Sequence, residues 1–301
     1  MNLSLQESSE GFALDHGPWD FAFIGEKLDE RGGQAIAFGT SHSTKLIRVK
    51  YNAEDMILSF GDKDSSIDEI EDDFKFLQNK KILIESTTVN FVELLLVLQQ
   101  AKINGCETSI LYLEPKSYSK RRMPEIVHRR EFELSEQTLG FYPVPGFVNT
   151  FGSTMSKKTV FIAGYESERI SRTIEENSVS SYNCDLIFGV PAFKVGWEMN
   201  SFANNIGVMK EQRFVNEPFY SSATNPGTTY DVLFNIYSTL DPNEKMFIAP
   251  LGPKPAGIAT ALFLINHNDV SLFYDHPSKK SERSTEVKKW HLYTINFGDN
   301  D

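Results

Sequence analysis

Short apolar runs alternate with helix-length amphipathic segments through the first 125 residues. In SSIDEIEDDFKFL (residues 65–77), Ile67, Ile70, Phe74 and Leu77 recur at a spacing that places them on one helical face. A more apolar helix is predicted over residues 89–103, and the Asn-Gly pair that follows would end it. The predicted strands are residues 20–25, 46–51, 81–85 and 109–113. Strands separated by helices indicate βαβ units and a mostly parallel sheet.

The same rhythm starts again near residue 158, after an interruption. Pro143, Pro145 and Gly146 exclude a regular helix from residues 131–148, which we interpret as an antiparallel hairpin or an extended linker. Beyond it, strands are predicted at 158–163, 185–190, 245–250, 270–274 and 289–296, and helices at 168–176, 228–240 and 255–266. The predicted division is a tail (1–19), one Rossmann-like half (20–125), a hairpin or linker (126–157) and a second Rossmann-like half (158–301).

Three pairs of segments indicate that the two halves are an internal repeat. FIGEKLDER (23–31) resembles FIAGYESER (161–169), TTVNFVELLLVL (87–98) resembles TTYDVLFNIYSTL (228–240), and ILYLEPKSYS (110–119) resembles MFIAPLGPKP (246–255). Their offsets are 138, 141 and 136 residues, and matches at nearly one period are typical of a duplication. The predicted fold class is therefore α/β, with two similar, doubly wound, mostly parallel halves. The alternative is a coincidence of strand–turn–helix composition.

Charge and composition narrow the classes of partner. The net charge of −11 and the sequence pI of about 5.1 argue against bulk nucleic-acid binding. One basic stretch departs from this balance and is either a solvated loop or an anion contact: Lys116, Lys120, Arg121, Arg122, Arg129 and Arg130. The apolar runs are too short to span a bilayer and no secretory signal is recognisable. We therefore expect a cytoplasmic protein without a membrane partner, whose Cys106 and Cys184 are reduced.

The predicted turn after residue 250 has the features of an anion site. Doubly wound sheets bind ligands beyond the carboxyl ends of their strands. In APLGPKPAGIATALFLI (249–265), Gly252 and Lys254 lie between a predicted strand and a helix that begins at Pro255. A glycine, a lysine and a helix N-terminus together favour a phosphate group. The alternative is a tight Pro/Gly turn with an exposed lysine.

This strand–G-x-K-P–helix element resembles the ligand loop of CARF-type Rossmann-like domains, which are prokaryotic sensors of cyclic nucleotides attached to antiviral effectors. The resemblance covers residues 247–259 and the coarse alternation of strands and helices. It implies nucleotide contacts at Gly252 and Lys254. It also implies a sensor or regulatory subunit of a defence or signalling system, with a protein partner from the same operon.

A second group of candidate residues follows the other predicted strands. Glu30–Arg31 and Glu168–Arg169 would begin helices after the first strand of each half. One interpretation is that they form internal ion pairs. The other is that the glutamates recognise a ribose or base and the arginines a phosphate, in one shared crevice. Thr87 and Thr228 would cap helices or donate hydrogen bonds to a ligand. The spacing of the histidines and cysteines predicts no metal site.

The predicted function is therefore the binding of a nucleotide or another phosphorylated small molecule by a sensor or regulatory subunit. One alternative is a nucleotide or nucleoside hydrolase or transferase that uses Glu30, Glu166 or Glu168 as acid or base. Another is a protein-interaction subunit without a small-molecule ligand. The sequence indicates no particular cofactor.

Overall fold

The chain forms two units, and the second is inserted into the first. Unit 1 comprises Met1–Tyr118 and Ser281–Asp301, and unit 2 comprises Ser119–Lys280. The computed structural model describes residues 2–13, 17–118, 132, 134–149, 155–282 and 284–298. Of the predicted basic stretch, all but Lys116 lie outside the described residues. Lys116 itself is exposed, with its Nζ atom 2.7 Å from Oε2 of Glu286.

The secondary structure of the described residues alternates strands and helices. The strands are β1 (Asn2–Ser8), β2 (Trp19–Ile24), β3 (Ser43–Asn52), β4 (Ile57–Phe60), β5 (Lys63–Ser65), β6 (Lys81–Glu85), β7 (Glu107–Tyr118), β8 (Ser135–Thr138), β9 (Ser156–Ile162), β10 (Cys184–Gly189), β11 (Phe219–Ser221), β12 (Glu244–Pro250), β13 (Ser271–Leu272), β14 (Pro277–Lys279) and β15 (Ser284–Asn296). The helices are α1 (Glu30–His42), α2 (Ile70–Asp73), α3 (Phe91–Ile103), α4 (Glu168–Glu176), α5 (Trp197–Glu211), α6 (Pro226–Ser238) and α7 (Lys254–Asn266).

Unit 1 contains an eight-stranded mixed sheet in the order β1-β15-β7-β6-β2-β3-β4-β5. The four central strands, from β7 to β3, run parallel. The antiparallel strands β15 and β1 extend one side, and β4 and β5 extend the other. The long helix predicted over residues 65–77 is shorter, since only α2 and a 3-10 turn at Lys75–Leu77 form there, but Ile70, Phe74 and Leu77 are buried as the pattern predicts.

Unit 2 contains a five-stranded sheet in the order β11-β10-β9-β12-β13, and every strand in it is parallel to its neighbours. Counted along the chain, this is the 3-2-1-4-5 order of doubly wound folds, with the switch point between β9 and β12. Strands β9, β10 and β12 are continuously apolar toward their carboxyl ends because both faces of such a sheet are covered. Within the described part of the interrupting segment, β8 pairs antiparallel with β14, a strand more than 130 residues further along the chain.

The structure thus confirms a mixed α/β fold with mostly parallel sheets, and it changes the predicted division of the chain. The predicted tail contains β1, whose seven residues pair with β15. The final strand belongs to unit 1 and not to a second half. Leu3 and Leu5 alternate with polar residues in β1, which is the signature of a half-buried strand.

Two similar halves are not shown, and the predicted repeat has the wrong register. Thr87 lies between β6 and α3, whereas Thr228 lies in α6, the crossover that connects edge strand β11 to β12. The third match pairs β7 with β12, but β7 is two strands from β2 while β12 is next to β9. In the described part of the chain, no helix is long and apolar enough to cross a membrane.

Candidate functional site

Arg169 makes an internal ion pair at the carboxyl edge of the sheet in unit 2. Its Nε and Nη2 atoms donate to the two carboxylate oxygens of Asp275 at 2.8 and 2.6 Å, and Nη1 lies 3.8 Å from Oε2 of Glu166. Burial lowers the pKa of Arg169, but the hydrogen bonds and charge of Asp275 outweigh it and raise the pKa overall. Asp275 is fully buried, so the guanidinium compensates its charge. Arg169 therefore joins the start of α4 to the loop after β13.

Glu166 holds the segment before and within β8. Its carboxylate accepts hydrogen bonds from the backbone N–H groups of Leu134 and Ser135 at 3.0 and 2.8 Å, and from the Ser135 hydroxyl at 2.9 Å. Three donors on one carboxylate fix the position of that segment. These hydrogen bonds also occupy one of the three carboxylates that the enzyme alternative offers as an acid or base.

Arg31 is likewise an internal contact, in unit 1. It is 3% exposed, its Nη1 atom donates to the carbonyl oxygen of Leu113 at 2.5 Å, and its guanidinium lies 5.8 Å from the centroid of the Tyr112 ring. Asp29 caps α1 through the N–H of Gly32. Glu30 is exposed and accepts from Gln34 instead of pairing with Arg31. The two Glu-Arg pairs thus lie in different units, and each arginine is engaged within its own.

Thr87 is a buried contact between the loop after β6 and strand β7. Its hydroxyl oxygen accepts the N–H of Leu113 at 3.0 Å. The neighbouring Thr88 accepts the N–H of Gly25 at 2.9 Å, and a Cβ atom on Gly25 would lie 2.5 Å from the Thr88 backbone. The buried carboxylate of Glu85 accepts the N–H groups of both threonines. Backbone and side chains therefore fill the crevice between β2 and β6.

The glycines at the switch point of unit 2 also serve close packing. A Cβ atom on Gly164 would lie 2.2 Å from the carbonyl oxygen of Leu251, and one on Gly252 would lie 2.8 Å from Cγ2 of Ile162. The Leu251 N–H donates to the carbonyl of Ile162 at 3.1 Å. Gly252 is therefore required by the approach of two loops, which is sufficient to explain a residue that the sequence analysis assigned to a ligand.

The loops that lead into α6 and α7 both lie close to the end of β10. A Cβ atom on Gly189, the last residue of β10, would lie 3.2 Å from Cβ of Ala223 and 3.9 Å from Cγ of Pro253. Ala223 belongs to the loop that leads into α6, and Pro253 directly precedes α7. In α7 the first intrahelical bond runs from the Gly257 N–H to the Pro253 carbonyl. The N–H groups nearest the start of the helix thus have no acceptor within it.

Thr228 stabilises the loop between β11 and α6. Its hydroxyl donates to the Asn225 carbonyl at 2.9 Å and accepts the Ser222 N–H at 3.0 Å. The single hydroxyl proton is used in this way, so Thr228 positions the loop that leads into α6. The Asn225 side chain caps α6 by accepting the Gly227 N–H at 2.9 Å.

The position of this loop beside the end of β10 was not predicted from the sequence. Its residues SSATNPGTT (221–229) are rich in hydroxyl and amide side chains before a helix-starting proline, a pattern typical of a capped helix N-terminus. That pattern predicts the cap of α6. It does not predict which other loop lies nearby, because this depends on the order of the strands in the sheet. Lys254, a predicted site residue, is the first residue of α7 and is half-buried.

The described residues offer no metal centre and no reactive thiol. No group of three or more His, Cys, Asp or Glu side chains among them is placed to hold a metal ion. Cys106 and Cys184 are buried and form no disulfide. Burial raises the pKa of Cys106 to about 11 and that of Cys184 to about 12, so both thiols stay protonated at neutral pH.

Together these features define an α/β protein whose inserted unit has a doubly wound parallel sheet with two helix N-termini meeting at its carboxyl edge. No protein-family model matches the chain, and no curated protein matches it. The interpretation of its function therefore depends on the geometry of the edge itself.

Proposed function

We propose that unit 2 binds a nucleotide or another phosphorylated small molecule where the N-termini of α6 and α7 meet. The observation that carries this proposal is their convergence over Gly189 at the carboxyl edge of the parallel sheet. Helix N-termini carry partial positive charge and present backbone N–H donors. Two of them at one point favour a group with several negatively charged oxygens.

The distribution of acidic residues supports this location over the other helix starts in unit 2. Glu168 lies in the first turn of α4, and the Glu198 carboxylate in the first turn of α5 accepts the Gly196 N–H at 3.1 Å. The first turns of α6 and α7, both fully described, contain no acidic residue. Carboxylates of the protein therefore complement the positive ends of α4 and α5, and the neutral amide of Asn225 caps α6. The first turn of α7 has neither an acidic residue nor a side-chain cap, so its positive end favours an external anion most strongly.

Lys254 adds a formal charge at the same place. It begins α7, next to Pro253, and is the charged residue closest in sequence to the point where the loops meet. An ammonium group is a compact point charge suited to a phosphate. In this proposal Lys254 contacts the ligand, while Gly252 and Thr228 position the loops around it.

A sensor or regulatory role fits this site better than catalysis does. Glu166 is held by three hydrogen bonds from the β8 segment, and Glu30 belongs to unit 1 and pairs with Gln34. The resemblance of residues 247–259 to CARF-type ligand loops also favours ligand sensing. The proposed role is thus to hold a phosphorylated signal and pass its presence to a partner protein.

The test compares a nucleoside with its phosphorylated forms. Calorimetry and thermal unfolding should be measured with adenosine, AMP, ATP and inorganic phosphate. A binding ligand at about 100 times its Kd should stabilise the protein by about 2.7 kcal/mol. Lys254→Ala should weaken binding by about tenfold to a hundredfold, while changing stability by less than about 0.5 kcal/mol.

Lys210→Ala is the matched control, because Lys210 is an exposed lysine in the last turn of α5. This variant should bind as the wild type does. Binding of adenosine as tightly as AMP, or equal losses in the two variants, would contradict the proposed phosphate site. Release of a product during the measurement would favour the enzyme alternative.

A further inference from the structure

A histidine lies buried between two carboxylates in the antiparallel part of the sheet in unit 1. His291 on β15 is 0% exposed. Its Nε2 atom lies 2.9 Å from Oε2 of Glu114 on β7, and its Nδ1 atom lies 3.1 Å from Oε1 of Glu7 on β1. The second contact has the distance of an ion pair but not the directionality of a hydrogen bond. The three side chains therefore connect three adjacent strands.

Other charged or titratable groups surround this cluster, most of them on the same strands. They are Lys288, with Nζ 2.7 Å from Oε1 of Glu114; Lys289, with Nζ 2.9 Å from Oε2 of Glu7; the rings of Tyr112 and Tyr293, about 6 Å from the imidazole; and Arg31 of α1, over the Tyr112 ring. Burial raises the pKa of both tyrosines well above the ordinary value, so they stay neutral. Burial also raises the pKa of Glu114, but hydrogen bonds from His291 and Lys288 outweigh it and lower the pKa overall.

We propose that Glu7, His291 and Glu114 form a proton-dependent latch that holds strand β1 on the sheet of unit 1. An ionised carboxylate only accepts hydrogen bonds, and a neutral imidazole has a single N–H donor. Both contacts of His291 are attractive only when both ring nitrogens carry a proton. After deprotonation, one nitrogen presents a lone pair to a carboxylate. Glu7 is the side that yields, since its side chain is 35% exposed while that of Glu114 is 1% exposed.

Protonation of His291 sets the sign of the pH dependence. The latch contributes stability while both ring nitrogens of His291 carry a proton, and the attraction to Glu7 is lost when one proton leaves. Glu114 keeps its contact with Lys288 and Glu7 keeps its contact with Lys289, so we expect β1 to loosen without detaching from the sheet. The inference is independent of the proposed ligand site, which lies in unit 2.

Hydrogen exchange of the β1 amides tests the latch in the full-length protein. After correction for the intrinsic pH dependence of exchange, protection of residues 2–8 should be lower at alkaline pH than at acidic pH. Loss of one charge-assisted contact predicts a decrease of about tenfold or more. Protection of the central strand β6 should stay constant, which separates local loosening from global unfolding.

Two Glu→Gln substitutions, each of which removes one negative charge, separate the latch from a general effect of charge. Glu7→Gln should already lower β1 protection at the acidic end and flatten the pH profile. Glu10→Gln removes an exposed carboxylate just beyond β1 and should keep the wild-type profile. The latch is refuted if wild-type protection does not depend on pH, or if Glu7→Gln retains the wild-type slope.

Discussion

At the scale of single residues, the close approach of backbone segments explains some of the glycine positions in this protein. Gly164 is the extreme case, because a Cβ atom at this position would lie 2.2 Å from a backbone carbonyl oxygen. A backbone atom cannot rotate away as a side chain can. By contrast, a Cβ atom on Gly39 in α1 would meet Ala22, Leu46 and Ile24 side chains at 3.5–3.9 Å, which is ordinary contact.

We therefore predict opposite effects for two glycine-to-alanine substitutions. Gly164→Ala should destabilise the protein by about 1–3 kcal/mol or more, since the loops at the switch point must separate. Gly39→Ala should leave stability unchanged or raise it by up to about 1 kcal/mol, because alanine is the better helix former. Urea unfolding followed by circular dichroism measures both. A tolerated alanine at position 164 would show that the two loops are not held together.

The residue scale also shows why the candidate contacts were only partly predictable. Arg31 and Arg169 were singled out correctly as charged residues at helix starts, with an internal ion pair as one interpretation. The contact of Arg169 with Glu166, three residues away, follows from local spacing. The partners Leu113 and Asp275 could not be predicted, because they are separated from Arg31 and Arg169 by 82 and 106 residues in the chain. Such contacts depend on strand order, which local patterns do not contain.

At the scale of elements, the segment around β8 depends on a single carboxylate for much of its attachment. Glu166→Gln should loosen residues 134–138, since an amide oxygen is a weaker acceptor for the three donors and its NH₂ group opposes them. We expect the hydrogen-exchange protection there to fall by about tenfold.

The control for this substitution is Glu175→Gln, because Glu175 is an exposed carboxylate on α4. It should leave the exchange of residues 134–138 unchanged. Equal protection in the two variants would mean that the β8–β14 pairing alone holds the segment.

Elements with a strong hydrophobic pattern were predictable, and short ones were not. The runs at 158–163, 185–190 and 245–250 correspond to β9, β10 and β12, because strands covered on both faces are continuously apolar. Strand β11 has three residues, of which Phe219 and Tyr220 are exposed, so its own sequence carries little signal. It becomes a strand through pairing with β10.

At the scale of the whole molecule, the two segments of unit 1 come together at the point where unit 2 is inserted. Ser284 of β15 is the direct partner of Tyr118 of β7, and opposed residues in an antiparallel pair have Cα atoms about 5 Å apart. The covalent path through unit 2 can therefore be replaced by a short turn.

This arrangement predicts that residues 1–118 joined to residues 281–301 by a short Gly/Ser linker form a folded protein. Residues 1–118 alone should be unstable, because removal of β15 exposes one edge of β7 and separates β1 from the sheet. Circular dichroism and cooperative thermal unfolding distinguish the two shortened chains. Cooperative unfolding of residues 1–118 alone would disprove the dependence on β15.

The position of β15 also determines the order in which the chain can fold during synthesis. Strands β1 and β7 leave the ribosome early, but their partner emerges only with residues 284–296. The strands of unit 2 are contiguous in the chain, so its sheet can close first. The unit that contains the first residues is thus the last to be completed. During that interval β7 offers an open edge to other chains, and the nascent protein is most prone to aggregation before its final strand is made.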